Sequence, residues 1–187
     1  MVVRVLEKTI EEMQVKLGTM NTELNKIAYL ESALKVHSGL EIKRFIWASL
    51  VELYDERKMY EKAGKAMSAK AGIDITFREK IESYLRAGEM YAKAGRIEDA
   101  DHMFVRAMRN ANASQKQRIR LAMKNIYLTN AKELEQNGKT ASSVRFYEKL
   151  MELGLDDLEK KEVKVKLVKI YKTLGKFREA ELIEGGL

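Results

Sequence analysis

Between His102 and Lys132 the chain carries seven cations, Arg106, Arg109, Lys116, Arg118, Arg120, Lys124 and Lys132, and not one acid. Such a run attracts anions, because uncompensated charge makes a local field that draws phosphates or carboxylates. Two readings stand side by side. In one, Arg106, Arg109, Lys116, Arg118, Arg120 and Lys124 form a patch for nucleic acid or an acidic peptide. In the other, the run is a solvated face, and acids from neighbouring elements fold back beside it. Single-strand binding would add aromatic platforms for stacked bases. Phe104, Tyr127, Phe146 and Tyr147 instead stand at spacings that a helical core needs for itself. Charge of this kind suits phosphate-backbone contacts, and base-specific reading is not indicated.

Residues for covalent or acid–base chemistry are scarce. His37 and His102 are the two histidines, far apart in sequence, and both read as surface residues. No cysteine occurs, which removes thiolate nucleophiles, disulfides and thiolate metal sites and suits a reducing cytoplasm. The acid pairs Asp99/Asp101 and Asp156/Asp157 read as helix-start or surface carboxylates rather than cation ligands. Residues 59–66 lack the first glycine and the closing hydroxyl of a phosphate-binding loop. The expectation is therefore a protein with no catalytic residue, no metal site and no cofactor. No apolar run is long enough to span a membrane, and the first residues lack a signal-peptide core, so the expected location is the cytoplasm.

The elements that must position any binding residues read as helices throughout. Of 187 residues 34% are charged and 45% hydrophobic, none is proline, and no stretch keeps a strand period of two. Gly39, Gly72, Gly95, Gly138, Gly154 and Gly175 are placed to end helices or occupy tight turns. Ser38 with Glu41, Thr76 with Glu79, and Ser114 with Gln117 each read as a capping box. Nine or ten helices in one continuous solenoid are expected.

The most informative stretch runs from Ile81 to Ala111. With Ile81 as position 1, Tyr84, Ala87, Gly88 and Tyr91 fall at 4, 7, 8 and 11, and Ala100, Phe104 and Ala107 at 20, 24 and 27. Small residues at 8 and 20 let two helices approach, while large ones at 4, 11 and 24 fill the gaps. This resembles the tetratricopeptide repeat, an antiparallel helix pair of about 34 residues. Further copies start near Arg44 (Trp47, Leu50, Val51, Tyr54, Ala63, Met67), near Lys124 (Tyr127, Ala131, Leu134, Gly138) and near Lys161 (Leu167, Val168, Tyr171, Gly175, Ala180). Starts at 44, 81, 124 and 161 are not evenly spaced, so longer helices or longer turns must absorb the excess. The resemblance covers roughly residues 44–187 and implies an all-α, right-handed superhelix of antiparallel helix pairs.

The resemblance also implies a function and a site. Members of the family hold a peptide or helix in a concave groove lined by the first helix of each repeat. Carried over position by position, that groove takes Glu52 and Asp55 from the first repeat, and Glu82, Leu85 and Glu89 from the second. It takes Asn125, Leu128 and Lys132 from the third and Val165, Lys169 and Lys172 from the fourth, beside Glu162. The expected function is a non-catalytic adaptor or scaffold for another protein. The alternatives are a nucleic-acid module using 106–132, and a structural oligomer.

Residues 1–40 leave two arrangements open. Val3, Leu6, Ile10, Met13, Leu17, Met20, Leu24, Ile27 and Leu34 keep heptad spacing, broken at Glu31, as in a coiled coil that would join copies through residues 3–34. Alternatively, poor helix formers at 18–22, with Thr22 or Asn21 as a cap, divide the segment into a pair near 2–17 and 22–37 that covers the array at 41–187. At the other end, Tyr171, Phe177 and Leu182 are expected to lie against another copy or a partner. The basic excess lies in residues 102–187, with 18 bases against 11 acids, whereas residues 1–101 balance at 17 each.

Overall fold

A computed structural model describes residues 4–185, which form ten α-helices and no strand. By contact the chain divides into two compact units, residues 1–112 and 113–187. The first holds α1 (Ile10–Gly18), α2 (Glu23–Val36), α3 (Leu40–Glu56), α4 (Tyr60–Ile73), α5 (Phe77–Lys93) and α6 (Ile97–Arg109). The second holds α7 (Ala113–Gln136), α8 (Thr140–Glu152), α9 (Asp157–Thr173) and α10 (Phe177–Glu184). No helix among the described residues is long and apolar enough to cross a membrane.

In the first unit the helices from α3 onward fold back on their predecessors. The Lys62 ammonium lies over Tyr54 near the α3–α4 turn, while Arg44, at the far end of α3, reaches Asp74 just beyond α4. Contacts that move backward along one helix and forward along the next define antiparallel packing. The same holds for α5 and α6, where Gly88 faces Phe104 and Tyr84 lies under the Arg106 guanidinium. Phe104 is fully buried, a burial that stabilises by roughly 2–3 kcal/mol. It fits because Gly88 has no side chain: a Cβ there would sit 2.7 Å from Cζ and 2.8 Å from Cδ1 of the ring.

Four hairpins share one turn. Between α3 and α4, α5 and α6, α7 and α8, and α9 and α10 lie three residues, and the middle one has positive φ: Lys58 (56°), Gly95 (73°), Gly138 (72°) and Gly175 (73°). The third residue's N–H then donates five residues back, from Met59 to Tyr54, Arg96 to Tyr91, Lys139 to Leu134 and Lys176 to Tyr171. This satisfies a carbonyl the helix end would otherwise leave open. Gly95, Gly138 and Gly175 occupy the turns expected of them. Gly72 lies inside the last turn of α4, and Gly39 precedes α3 with an ordinary φ of −64°.

The uneven repeat spacing is absorbed by one helix. α3, α5 and α9 each have 17 residues, whereas α7 has 24. Its extra length lies at the N-terminal end, because α7 starts at Ala113, well before the pattern becomes visible at Lys124. Of the expected capping boxes, Thr76 with Glu79 forms. Ser114 is inside α7, and α3 is preceded by Gly39 with no side-chain cap. Capping boxes form instead at Thr9 with Glu12 and at Asp156 with Glu159.

The N-terminal segment is two helices, broken at residues 19–22, with the Thr22 hydroxyl accepting from the Asn25 N–H. Met13, Ile27, Leu30 and Ala33 are buried, but Leu6 and Leu24 of the heptad seam stand exposed, and Val3 lies outside the described residues. Glu31, where the seam breaks, accepts the Tyr54 hydroxyl at 2.6 Å. Trp47 is half-buried rather than part of the core. At the C-terminal end Phe177 and Leu182 are exposed, whereas Tyr171 is buried.

Two substitutions test this packing. Gly88→Ala forces the Phe104 ring to move and is expected to lower stability by about 2 kcal/mol or more, whereas Gly95→Asn at the open turn is far milder. Lys58→Gly relieves a left-handed side-chain residue and is expected to raise stability by roughly 0.5–1 kcal/mol. Both are read by chemical denaturation, and an unchanged midpoint for either contradicts the corresponding contact.

Candidate binding face

Alternate helices run parallel, and charges set their register. In the first unit Arg44 of α3 bonds Glu79 of α5 at 2.7 Å, and Glu52 pairs with Arg86 at 2.8 Å. In the second, Lys124 of α7 pairs with Glu159 of α9, and Glu135 with Lys166 at 2.9 Å. Both ends of each pairing advance together along the chain, which only parallel neighbours allow. The first helices expected to line a groove therefore stand side by side within each unit.

Expected groove residues on the first unit are exposed or half-buried, but their charge is largely met from within. Glu52 faces Arg86, Glu82 faces Arg78 at 3.0 Å, and Glu89 faces Lys93 at 2.9 Å. Asp55 lies near Lys93; burial alone would lower that ammonium's pKa, but the pairing with Glu89, helped by Asp55, raises it. The acidic end of the expected groove is thus nearly neutral, for the cations sit one turn away or on the adjacent first helix. Leu85 is half-buried between these pairs. A cleft of about 340 Å³ here collects Ala48, Glu52, Glu82 and Arg86.

Sequence reasoning missed the cluster beneath that cleft. The Asp74 side chain has no exposure, yet it accepts from Ser83 Oγ at 2.6 Å and from Lys70 Nζ at 2.9 Å. Arg44 Nε lies 3.3 Å from the same carboxylate but is not aligned to donate to it. Glu79 is the partly exposed member. The Thr76 N–H and hydroxyl, reinforced by Arg44, hold its carboxyl down to about 2. The sequence signal was an acid between Ile73 and Ile75 just before a capping box.

In the second unit a cleft of about 550 Å³ brings together Leu128 and Lys132 of α7 with Glu162 and Val165 of α9, four residues assigned to one groove. Tyr147 closes it from α8, its hydroxyl donated to Glu135. Burial tends to raise the Glu135 pKa, but bonds from Tyr147 and Lys166 outweigh it and lower it. Leu158 and Val165 are 70% and 52% exposed, so the cleft offers apolar surface to solvent. Asn125 and Lys169 lie a turn away along α7 and α9, both exposed. Lys172 pairs instead with Glu184 of α10 at 2.6 Å.

The basic run is divided by the fold. Arg106 and Arg109 belong to α6, and Lys116, Arg118, Arg120 and Lys124 to α7. Arg106 stacks over Tyr84, and Lys124 is committed to Glu159. Arg109, Lys116, Arg118 and Arg120 are exposed and, among the described residues, have no acid within 4.0 Å. His102 is exposed, and His37 caps α2 with Nε2 buried and unbonded among the described residues. Asp99 pairs with Arg96 at 2.6 Å, and among the described residues no group of three acids or histidines could hold a metal ion.

A second pattern escaped the sequence. Tyr54 donates to Glu31 and Tyr171 to Glu148, each at 2.6 Å and each across 23 residues. Tyr29 donates to Glu7 at 2.9 Å. Burial first, then the neighbouring carboxylate, raises the pKa of all three tyrosines and of Tyr147 well above the ordinary tyrosine value. A raised tyrosine pKa means stability that is complete below about pH 10 and lost as pH climbs further, since the unfolded chain ionises first. Tyr54→Phe and Tyr171→Phe are each expected to cost about 1–2 kcal/mol at neutral pH. Each should also flatten the alkaline loss of stability followed by circular dichroism; an alkaline midpoint equal to that of the parent would remove these bonds from the account.

Compared with known protein families and with curated proteins, the sequence matches neither any family nor any curated protein.

Proposed function

We propose that this chain is a tetratricopeptide-like repeat protein, a non-catalytic platform that holds a segment of another protein on the face of its first helices. The observation that carries this reading is the shared register of those helices. Arg44 to Glu79 and Lys124 to Glu159 each span 35 residues, close to one repeat of the resembled family. The Tyr54–Glu31 and Tyr171–Glu148 bonds, each across 23 residues, and the four like turns support the same unit of repetition. A right-handed superhelix of such pairs is the architecture this reading implies. Affinity then comes from a few apolar anchors, with charge setting orientation and association rate.

Lys116, Arg118 and Arg120, exposed and unpaired among the described residues, favour one second reading, a surface for the nucleic-acid backbone. One experiment separates the two. Full-length chain is used to capture partners from lysate with and without nuclease, followed by mass spectrometry. The platform reading expects a protein that survives nuclease, is lost with Glu52→Lys, Glu89→Lys and Lys169→Glu together, and is kept with Lys116→Gln, Arg118→Gln and Arg120→Gln. The reverse pattern establishes the nucleic-acid reading, and indifference to both sets of variants removes both surfaces.

A further inference from the structure

The cleft between α7 and α9 has a chemistry of its own that narrows what it holds. Its floor is apolar, with Leu128 half-buried and Leu158 and Val165 largely exposed. Its rim is cationic. Lys132 from one side and Lys161 from the other have no acidic partner among the described residues, and Glu162 is the one acid among the described residues of the lining. Two acids close to the cleft are spent internally: Glu135 on Tyr147 and Lys166, and Glu159 on Lys124. A lysine that leans over exposed leucine and valine without a counter-ion keeps its charge in water while its stem extends the apolar surface. The site thus asks for apolar side chains flanked by carboxylates.

We infer that this cleft binds an acidic amphipathic segment of a partner protein, its apolar side chains on Leu128, Leu158 and Val165 and its carboxylates on Lys132 and Lys161. This rests on the platform reading above and specifies the partner. A polyanion such as nucleic acid satisfies the rim but leaves the apolar floor in water. A second copy presenting its own α7 and α9 brings mostly like charge, since the exposed lysines and arginines there outnumber the exposed acids Glu133, Asp157 and Glu162. The floor and the rim therefore act together only on a ligand that is both acidic and apolar.

The test uses full-length protein and two fluorescent synthetic helical peptides, read by anisotropy. One carries leucines along one face with glutamates beside them, and its twin carries lysines in place of the glutamates. The acidic peptide is expected to bind and the basic twin to bind at least about tenfold more weakly. Leu158→Ser with Val165→Ser, both at exposed positions, and separately Lys132→Glu with Lys161→Glu, should each weaken the acidic peptide about tenfold, with unchanged thermal melts. If the apolar pair of changes has no effect while the lysine pair does, the rim merely attracts polyanions and the inference fails. It also fails if the two peptides bind alike, or if the apolar variant dissociates a dimer in ultracentrifugation, which makes a second copy the occupant. Failure here, with a nuclease-resistant partner still lost on changing Glu52, Glu89 and Lys169, overturns the acidic ligand alone; loss of that partner's dependence as well overturns the platform.

Discussion

A three-residue reversal with a left-handed middle residue fixes how each hairpin closes, and the burial pattern follows from it. The bond from the third turn residue to a carbonyl five residues back ties the exit of one helix to the entry of the next. The rotational phase between the two helices is constrained by that turn geometry. In the α5–α6 hairpin that phase puts Gly88 under Phe104, and nothing larger than hydrogen fits between them. Ala100 and Ala107, fully buried on the same helix, keep the approach close along its length.

Charge does a different job at different depths. Pairs between partly exposed side chains, such as Glu52 with Arg86, contribute about 1 kcal/mol each, yet four of them between parallel helices disfavour a slip of one turn. Asp74 stands apart because its carboxylate has left water altogether. Such a group is tolerated only while Lys70 and Ser83 complete its bonding, with Arg44 close by, so its worth lies more in specifying one arrangement than in net stability.

Helix existence was legible because glycine punctuation and a small–large spacing agree over 81–111, and the turns at Gly95, Gly138 and Gly175 stand where expected. The turn at Lys58 was not, for a lysine in left-handed conformation leaves no compositional mark. The length of α7 was hidden because its first turns carry Ile119 and Met123 as their buried apolar residues, too few to show a period, although Ser114 marked a helix start within two residues of Ala113. Leu128, Lys132, Glu162 and Val165 line one cleft. The neutralisation of Glu52 could not be read, since its partner lies 34 residues away on a helix whose register the sequence alone does not fix. Glu31 shows the same limit: as sequence it interrupts a heptad seam, and as structure it is the acceptor for Tyr54.

The length of α7 has a consequence for how this chain tolerates change. It exceeds α3, α5 and α9 by seven residues, and seven residues are close to two full helical turns, leaving a drift of only about 20°. An addition of that size moves the helix start by roughly 10 Å while leaving every later side chain pointing almost where it pointed before. Adding two residues, or five, would instead turn the helix start by roughly 140–200° about the axis. Insertions into these helices are therefore filtered by angle rather than by length, and sevens pass the filter.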